Sequence, residues 1–288
     1  MALGVQASLS QPVATFLAGA GALTAGVLAY VNGQRSRALT QEHHADDRTR
    51  ERERHQEDAH RARESDLRDR YTAIATQIAH TSAAIRQAGV YALTALADDW
   101  HALGEDDERQ VCINLLQWYL RVPAAAVETS EQDLPELEIR QTIAGILTER
   151  RRRSPEHPKS WAATAISFRQ ASLPNCVLRM LDFSRLGLDH ANLFGVNLTG
   201  AALFGATLTG ANLTAVNLTG AHLIGTNLTG ANLFGADLTG ANLLSANLTG
   251  ANLTGVDLTG ANLLGADLTS AYHNASTQWP DDFIPSIR

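Results

Sequence analysis

From about Ile166 to Ser270 the apolar positions recur every five residues without an insertion or deletion. Large apolar centres fall at Phe168, Leu173, Leu178, Phe183 and Leu188, then at Leu193 and every fifth residue to Leu268, giving 21 centres in one register. Two positions before each centre stands a small or aliphatic residue, from Ile166, Ala171 and Cys176 to Ala266. An α-helix would sweep residues five apart around every face, and a strand of period two would send successive leucines to opposite sides. A four-sided coil satisfies the pattern: four pentapeptides per turn, one on each side, with both apolar positions turned inward. Gly closes nearly every unit after Gly195, where a corner needs backbone freedom, and Asn and Asp supply local turn hydrogen bonds. No unit can bury its own side chains, whereas stacked units can. About five coils at the strand spacing of ~4.8 Å predict a rod roughly 25 Å long.

Elsewhere the pattern changes. No charged residue precedes Arg35, and residues 12–31 form an apolar stretch long enough to cross a ~30 Å hydrocarbon core as a helix. This predicts a single-pass transmembrane helix within an N-terminal segment at 1–33. Arg35 and Arg37 follow it and no Lys or Arg precedes it, which places the C-terminal bulk in the cytoplasm. Ala18, Ala22 and Gly26 fall at four-residue spacing, a small-residue face on which two helices could pack. Residues 34–70 hold almost no large apolar side chain and carry acid-before-Arg pairs such as Glu57/Arg61 and Asp66/Arg70, predicting a charged helical spacer. Residues 71–153 return to helical spacing. Ile74, Ile78, Ile85, Leu93, Leu96 and Trp100 mark one stripe, which Gly104 ends. Val111, Leu115, Leu116, Tyr119 and Leu120 mark the next, which Asp106 or Asp107 can cap, and Asp133 to Glu136 opens a third helix. A linker at 154–165 leads into the repeats of 166–270, and Tyr272, Trp279, Pro280 and Phe283 are expected to cover the last coil from a cap at 271–288.

The repeated Ala-(Asn/Asp)-Leu-x-Gly unit, clearest from Ala191 onward, resembles the pentapeptide-repeat family. The resemblance implies a right-handed quadrilateral β-helix, so the chain reads as an α+β multi-part protein ending in a β-solenoid. It also brings one activity into view, mimicry of DNA by an acidic solenoid at a gyrase or another DNA-binding protein. The charges argue against that here. Between Ala191 and Ser270 the acids are Asp237, Asp257 and Asp267 alone, while the whole chain carries only -7.

Residues 20 apart should stack on the same outer face. One column then reads Phe204, Ile224, Leu244, Leu264 and predicts an apolar interaction stripe. A second, mixed column holds Phe194 and Phe234 between threonines, and the other two are all Thr. Candidate chemistry changes little. His190, His222 and His273 do not share a column, no nucleophile–base–acid grouping or phosphate loop occurs, and Cys112 and Cys176 have no metal-ligand spacing. Catalytic, cofactor and metal sites are therefore not assigned. The expected function is a membrane-tethered, non-enzymatic scaffold whose solenoid binds a protein partner or a second copy, without nucleic acid or a small-molecule substrate.

Overall fold

The computed structural model describes residues 11–123, 134–281 and 283, with side chains from Leu28 onward. Two compact units, Met1–Ser65 and Asp66–Arg288, make up the chain. The first is the greater part of helix α1 (Gln11–Ile78). Its described side chains are exposed almost throughout, as an all-round polar helix requires, and Arg61 pairs with Glu57 at 3.5 Å. Among the described residues no helix is long and apolar enough to cross a membrane. This corrects the single-pass anchor expected at 12–31, and with it the cytoplasmic placement derived from that anchor. The helix begun at Gln11 does not stop at bilayer width but runs on through Arg35 and the charged segment. Of the apolar stretch only Leu28 to Val31 carry described side chains. The small-residue face at Ala18, Ala22 and Gly26 lies outside them.

The second unit opens with the end of α1 and continues through α2 (Ala83–Leu103), α3 (Asp106–Arg121) and α4 (Leu134–Arg152). Leu93, Leu96, Trp100, Ile113, Leu116, Leu120, Ile143 and Leu147 form the apolar interior of this bundle. Gly104 adopts φ 91° and donates its N–H to His101, ending α2 as the sequence predicts. Three expectations shift. Ile85 and Val111 leave the core and are exposed, and Leu115 is half-buried at its edge. Glu105, not Asp106 or Asp107, stands at the N-cap of α3 and makes no side-chain cap bond. Arg70, expected to pair with Asp66, reaches Asp99 on α2 at 2.9 Å.

The repeat winds into a β-solenoid. Parallel bridges join residues 20 apart, from Ser172↔Asn192 to Asn252↔Tyr272, so each turn takes four pentapeptides. The sides are too short to form continuous strands among the described residues, and a single residue per side bridges. Leu213, Leu233 and Leu253 are fully buried in the shaft, with Ala211, Ala231 and Ala251 beside them.

One unit shows why the coil closes. Leu193 donates to Asn212 O at 2.8 Å, Gly195 to Thr214 O at 2.9 Å, Val196 back to Leu193 O at 3.2 Å, and Asn197 to Cys176 O at 2.9 Å. The remaining N–H, on Phe194, goes to the Asn192 side chain at 3.3 Å. Every donor in the pentapeptide is thus satisfied, by the coil on either side, by the turn itself or by the Asn two residues earlier. Side-chain ladders add to this, with Asn212 donating to Asn192 at 3.1 Å and Asn252 to Asn232 at 3.0 Å.

The corner residue needs φ near +60°. Gly195 and Gly200 supply it and also make room, since a Cβ there would run into the Asn175 and Met180 side chains of the coil before. Thr226 breaks the inward Ala pattern and remains fully buried because its hydroxyl donates to Leu203 O at 2.7 Å.

The helices close the first coil. In later coils the bridging residue's N–H bonds to the coil before, and the first coil has none. Ser167 N donates instead to the Gln117 side chain at 2.8 Å, Ser172 N to Leu120 O at 2.6 Å, and Val177 N to the Gln141 side chain at 2.5 Å. Arg140 donates to Ser172 O at 2.7 Å and to Val122 O at 3.0 Å, and its Nε reaches Glu136 at 2.8 Å. Trp161 fills the junction, fully buried, with its ring N–H on Asp98 at 3.2 Å. Glutamine and arginine side chains therefore stand in for a missing coil.

At the far end, bridges continue past Ser270 to Gln278, where the spacing becomes 21 through one extra residue. Trp279 and Phe283 stack at 5.2 Å and pack against the core, but Tyr272 is 68% exposed and does not join the expected cover. A cavity of about 1240 Å³ remains there, lined in part by Leu263, Leu268, Trp279 and Phe283.

Candidate interaction surface

The solenoid presents its outer columns from the corners, because the residue after each Leu begins the turn. Where Asn or Asp stands two residues earlier, its side chain accepts the amide, as at Thr199, Thr239, Leu244 and Leu264, while Ala202 and His222 stand there before Phe204 and Ile224, whose direction repeats through the inter-coil ladder. Phe204, Ile224, Leu244 and Leu264 accordingly sit one per coil. Phe204 is 45% and Leu264 72% exposed, while Ile224 and Leu244 are half-buried between them. The Arg185 guanidinium lies 5.8 Å from the Phe204 ring centre at the upper end, where the column turns polar at Ser184. In the second column Phe194 and Phe234 are exposed but are separated by Thr214, whose hydroxyl accepts from Asn232 at 3.0 Å. The first column is continuous and apolar, and the second is interrupted.

The carboxylates of the wall accept hydrogen bonds from the turns that follow them. Asp237 accepts Thr239 N–H at 2.9 Å and the Thr219 hydroxyl at 3.0 Å. Burial opposes its ionisation, but these bonds outweigh burial and hold the carboxyl below its usual range. Such groups stabilise corners and leave little of the open phosphate-like field that DNA mimicry needs. Both thiols are buried, at Cys112 in the bundle and Cys176 in the shaft, and burial pushes each to about 12.

Sequence reasoning missed one anchoring acid, Asp189. It accepts the Thr207 hydroxyl at 2.8 Å, Thr209 N–H at 3.1 Å and Arg169 Nε at 2.7 Å, tying its own coil to the coils on either side. Burial raises its pKa and the hydrogen bonds lower it further than burial raises it, so the carboxyl titrates below its ordinary value. Arg169 supplies the largest of the lowering bonds and the two threonine donors add to it, although Arg169 itself is largely exposed. A group depressed in the folded state stabilises above the ordinary carboxylate pKa and loses that contribution as pH falls through the folded value. Asp189→Asn is therefore expected to destabilise by about 1–2 kcal/mol at pH 7. In urea titrations from pH 7 to pH 3 the gap from the parent should close below about pH 4. A gap that stays constant with pH would show that Asp189 acts through shape alone.

No curated protein matches the chain. Among solved structures, a pentapeptide repeat protein from Nostoc Pcc 7120 is 38% identical over 36% of this chain and 77% of its own, with a TM-score of 0.27. One from the Arabidopsis thaliana thylakoid lumen is 35% identical over 31% of this chain and 66% of its own, also at 0.27. One from the cyanobacterium Cyanothece 51142 is 32% identical over 44% and 76%, at 0.21. The family model described as pentapeptide repeats matches in eight copies, at residues 164–200, 197–235, 211–250 and 236–272. With the four-sided coil and its five-residue register in place, these matches make the chain, through residues 164–272, a member of the pentapeptide-repeat family.

Proposed function

We propose that the chain is a non-enzymatic interaction scaffold that holds a protein partner against the apolar column of its solenoid. The observation that carries this reading is the unbroken run Phe204, Ile224, Leu244, Leu264, one accessible apolar side chain per coil on a frame tied together by inter-coil hydrogen bonds. A rigid wall presents these groups without an ordering penalty, so contact with a complementary apolar strip translates into affinity. The functional groups of the wall support binding and not turnover. Its acids serve the corners, its thiols are buried, and its histidines stand apart.

The test is proximity labelling in the native cell with the full chain, comparing the parent, Leu244→Ser/Leu264→Ser, and Thr239→Ser/Thr259→Ser on a polar face. Burying a leucine contributes about 1.5–3 kcal/mol, so the leucine pair should lower labelling of the principal neighbours by about ten-fold or more. The threonine pair should leave them unchanged. An unaltered neighbour set in the leucine variant would remove the column from recognition.

A further inference from the structure

The second unit carries another apolar face, on the outer side of α3. Val111, Leu115 and Trp118, with Val122 at the C-cap, fall at spacings of four, three and four, the seam of a two-helix coiled coil. This seam lies opposite the residues with which α3 enters the bundle, Cys112, Ile113, Leu116 and Leu120. Val111 and Val122 are exposed, Trp118 is 57% exposed and Leu115 is half-buried. Asp107, Asn114 and Arg121 stand seven residues apart along one flank, with acid at the start of the helix and base at its end.

That charge order fits one occupant in particular. When two copies of α3 meet antiparallel across a two-fold axis, equivalent flanks face each other in reverse direction. Asp107 of one copy then stands beside Arg121 of the other, and the same pair repeats on the far side of the axis. With the axis near Leu115, the two Leu115 side chains meet, and Val111 of each copy packs on Trp118 of its mate. Parallel pairing would instead turn this flank toward the one that carries Cys112 and Tyr119, both buried in the bundle, and leave Asp107 and Arg121 without a charged partner. We propose that α3 is a self-association surface, joining two copies of this chain antiparallel through Val111, Leu115, Trp118 and Val122, with register set by Asp107 and Arg121. The helix is only 16 residues long, so the dimer is reversible and forms with rising concentration. The inference is independent of the solenoid column.

Sedimentation velocity on the full chain across the micromolar range, with a thiol crosslink, provides the test. The parent should pass from monomer to dimer. Asp107→Arg or Arg121→Asp alone should weaken association by about ten-fold, since each reversal turns two attractive contacts repulsive. The double reversal should restore it. Leu115→Cys should be joined chain to chain by a short bismaleimide, because the two thiols meet at the axis while Cys112 and Cys176 are buried. Leu244→Ser/Leu264→Ser should dimerise like the parent. The proposal is overturned by a parent that stays monomeric, by double reversal that fails to restore pairing, or by Leu115→Cys chains that remain unlinked. Crosslinking through Ser270→Cys in place of Leu115→Cys would also overturn it, moving self-association to the open end of the solenoid.

Discussion

Replacing Arg140 with alanine is expected to lower the unfolding free energy by about 3–5 kcal/mol, the range for breaking a buried charged network by removing one partner. The side chain is almost wholly buried and serves three structures at once. It accounts for the Ser172 carbonyl on the first coil, the Leu120 and Val122 carbonyls at the end of α3, and one oxygen of Glu136. In every later coil the carbonyl equivalent to that of Ser172 accepts from a leucine N–H of the coil before, as Asn192 accepts from Leu173 at 2.9 Å. Arg140 replaces that donor. Glu136 would keep Arg86 and the Tyr119 hydroxyl, at 2.9 and 2.8 Å, so most of the loss falls on the carbonyls.

Arg140→Met separates the causes, since it restores volume and no donor. Methionine should recover less than about 1 kcal/mol of the deficit. Lysine should recover part of it, because an ammonium cannot reproduce the forked donors. Hydrogen exchange localises the damage. Amides of Ser167, Ser172 and Val177 should lose protection first, while those from Leu223 to Leu233 keep theirs. An alanine variant within 1 kcal/mol of the parent, or exchange that rises uniformly, would show that the bundle does not hold the first coil through this residue.

The shaft was legible in the sequence and its closure was not, for one physical reason. A period of five leaves a single geometry in which Leu213, Leu233 and Leu253 share an interior, so their burial follows from spacing alone. The outer columns follow from the same register. Gln117, Arg140 and Gln141 carry no local signal because their partners, Ser167, Ser172 and Val177, lie far along the chain. Polar residues acquire such roles only when two distant segments dock, and no local pattern records that. α3 fails for a related reason. Tyr119 and Cys112 bridge Val111 and Leu115 to Leu116 and Leu120 on a helix that is apolar over more than half its circumference, so periodicity cannot say which part meets the core. The apolar stretch at 12–31 was read by length and composition, whereas the helix that includes it continues as a long polar one.

Leu233→Ala should destabilise by about 3–4 kcal/mol, and Leu268→Ala by less than about 1 kcal/mol, although both remove the same atoms from the same register. Leu233 is fully buried with Leu213 and Leu253 in the coils on either side, and Leu268 is only half-buried beside the open terminal cavity. The usual relief for a core truncation is collapse of the surrounding walls. Here the walls are fixed by the inter-coil hydrogen bonds, with Leu233 N–H to Asn252 O at 2.9 Å and Leu213 N–H to Asn232 O at 2.7 Å, so the cavity cannot close without breaking the ladder. At the end, water already reaches the side chain and the last coil has neighbours on one side only. Urea midpoints of the two variants, with limited proteolysis to locate fraying, measure the difference. Equal losses would mean that the terminal coil is covered as tightly as the middle one, or that the shaft relaxes around a void. A solenoid with rigid walls requires instead that a coil's sensitivity rise with the number of coils stacked on it.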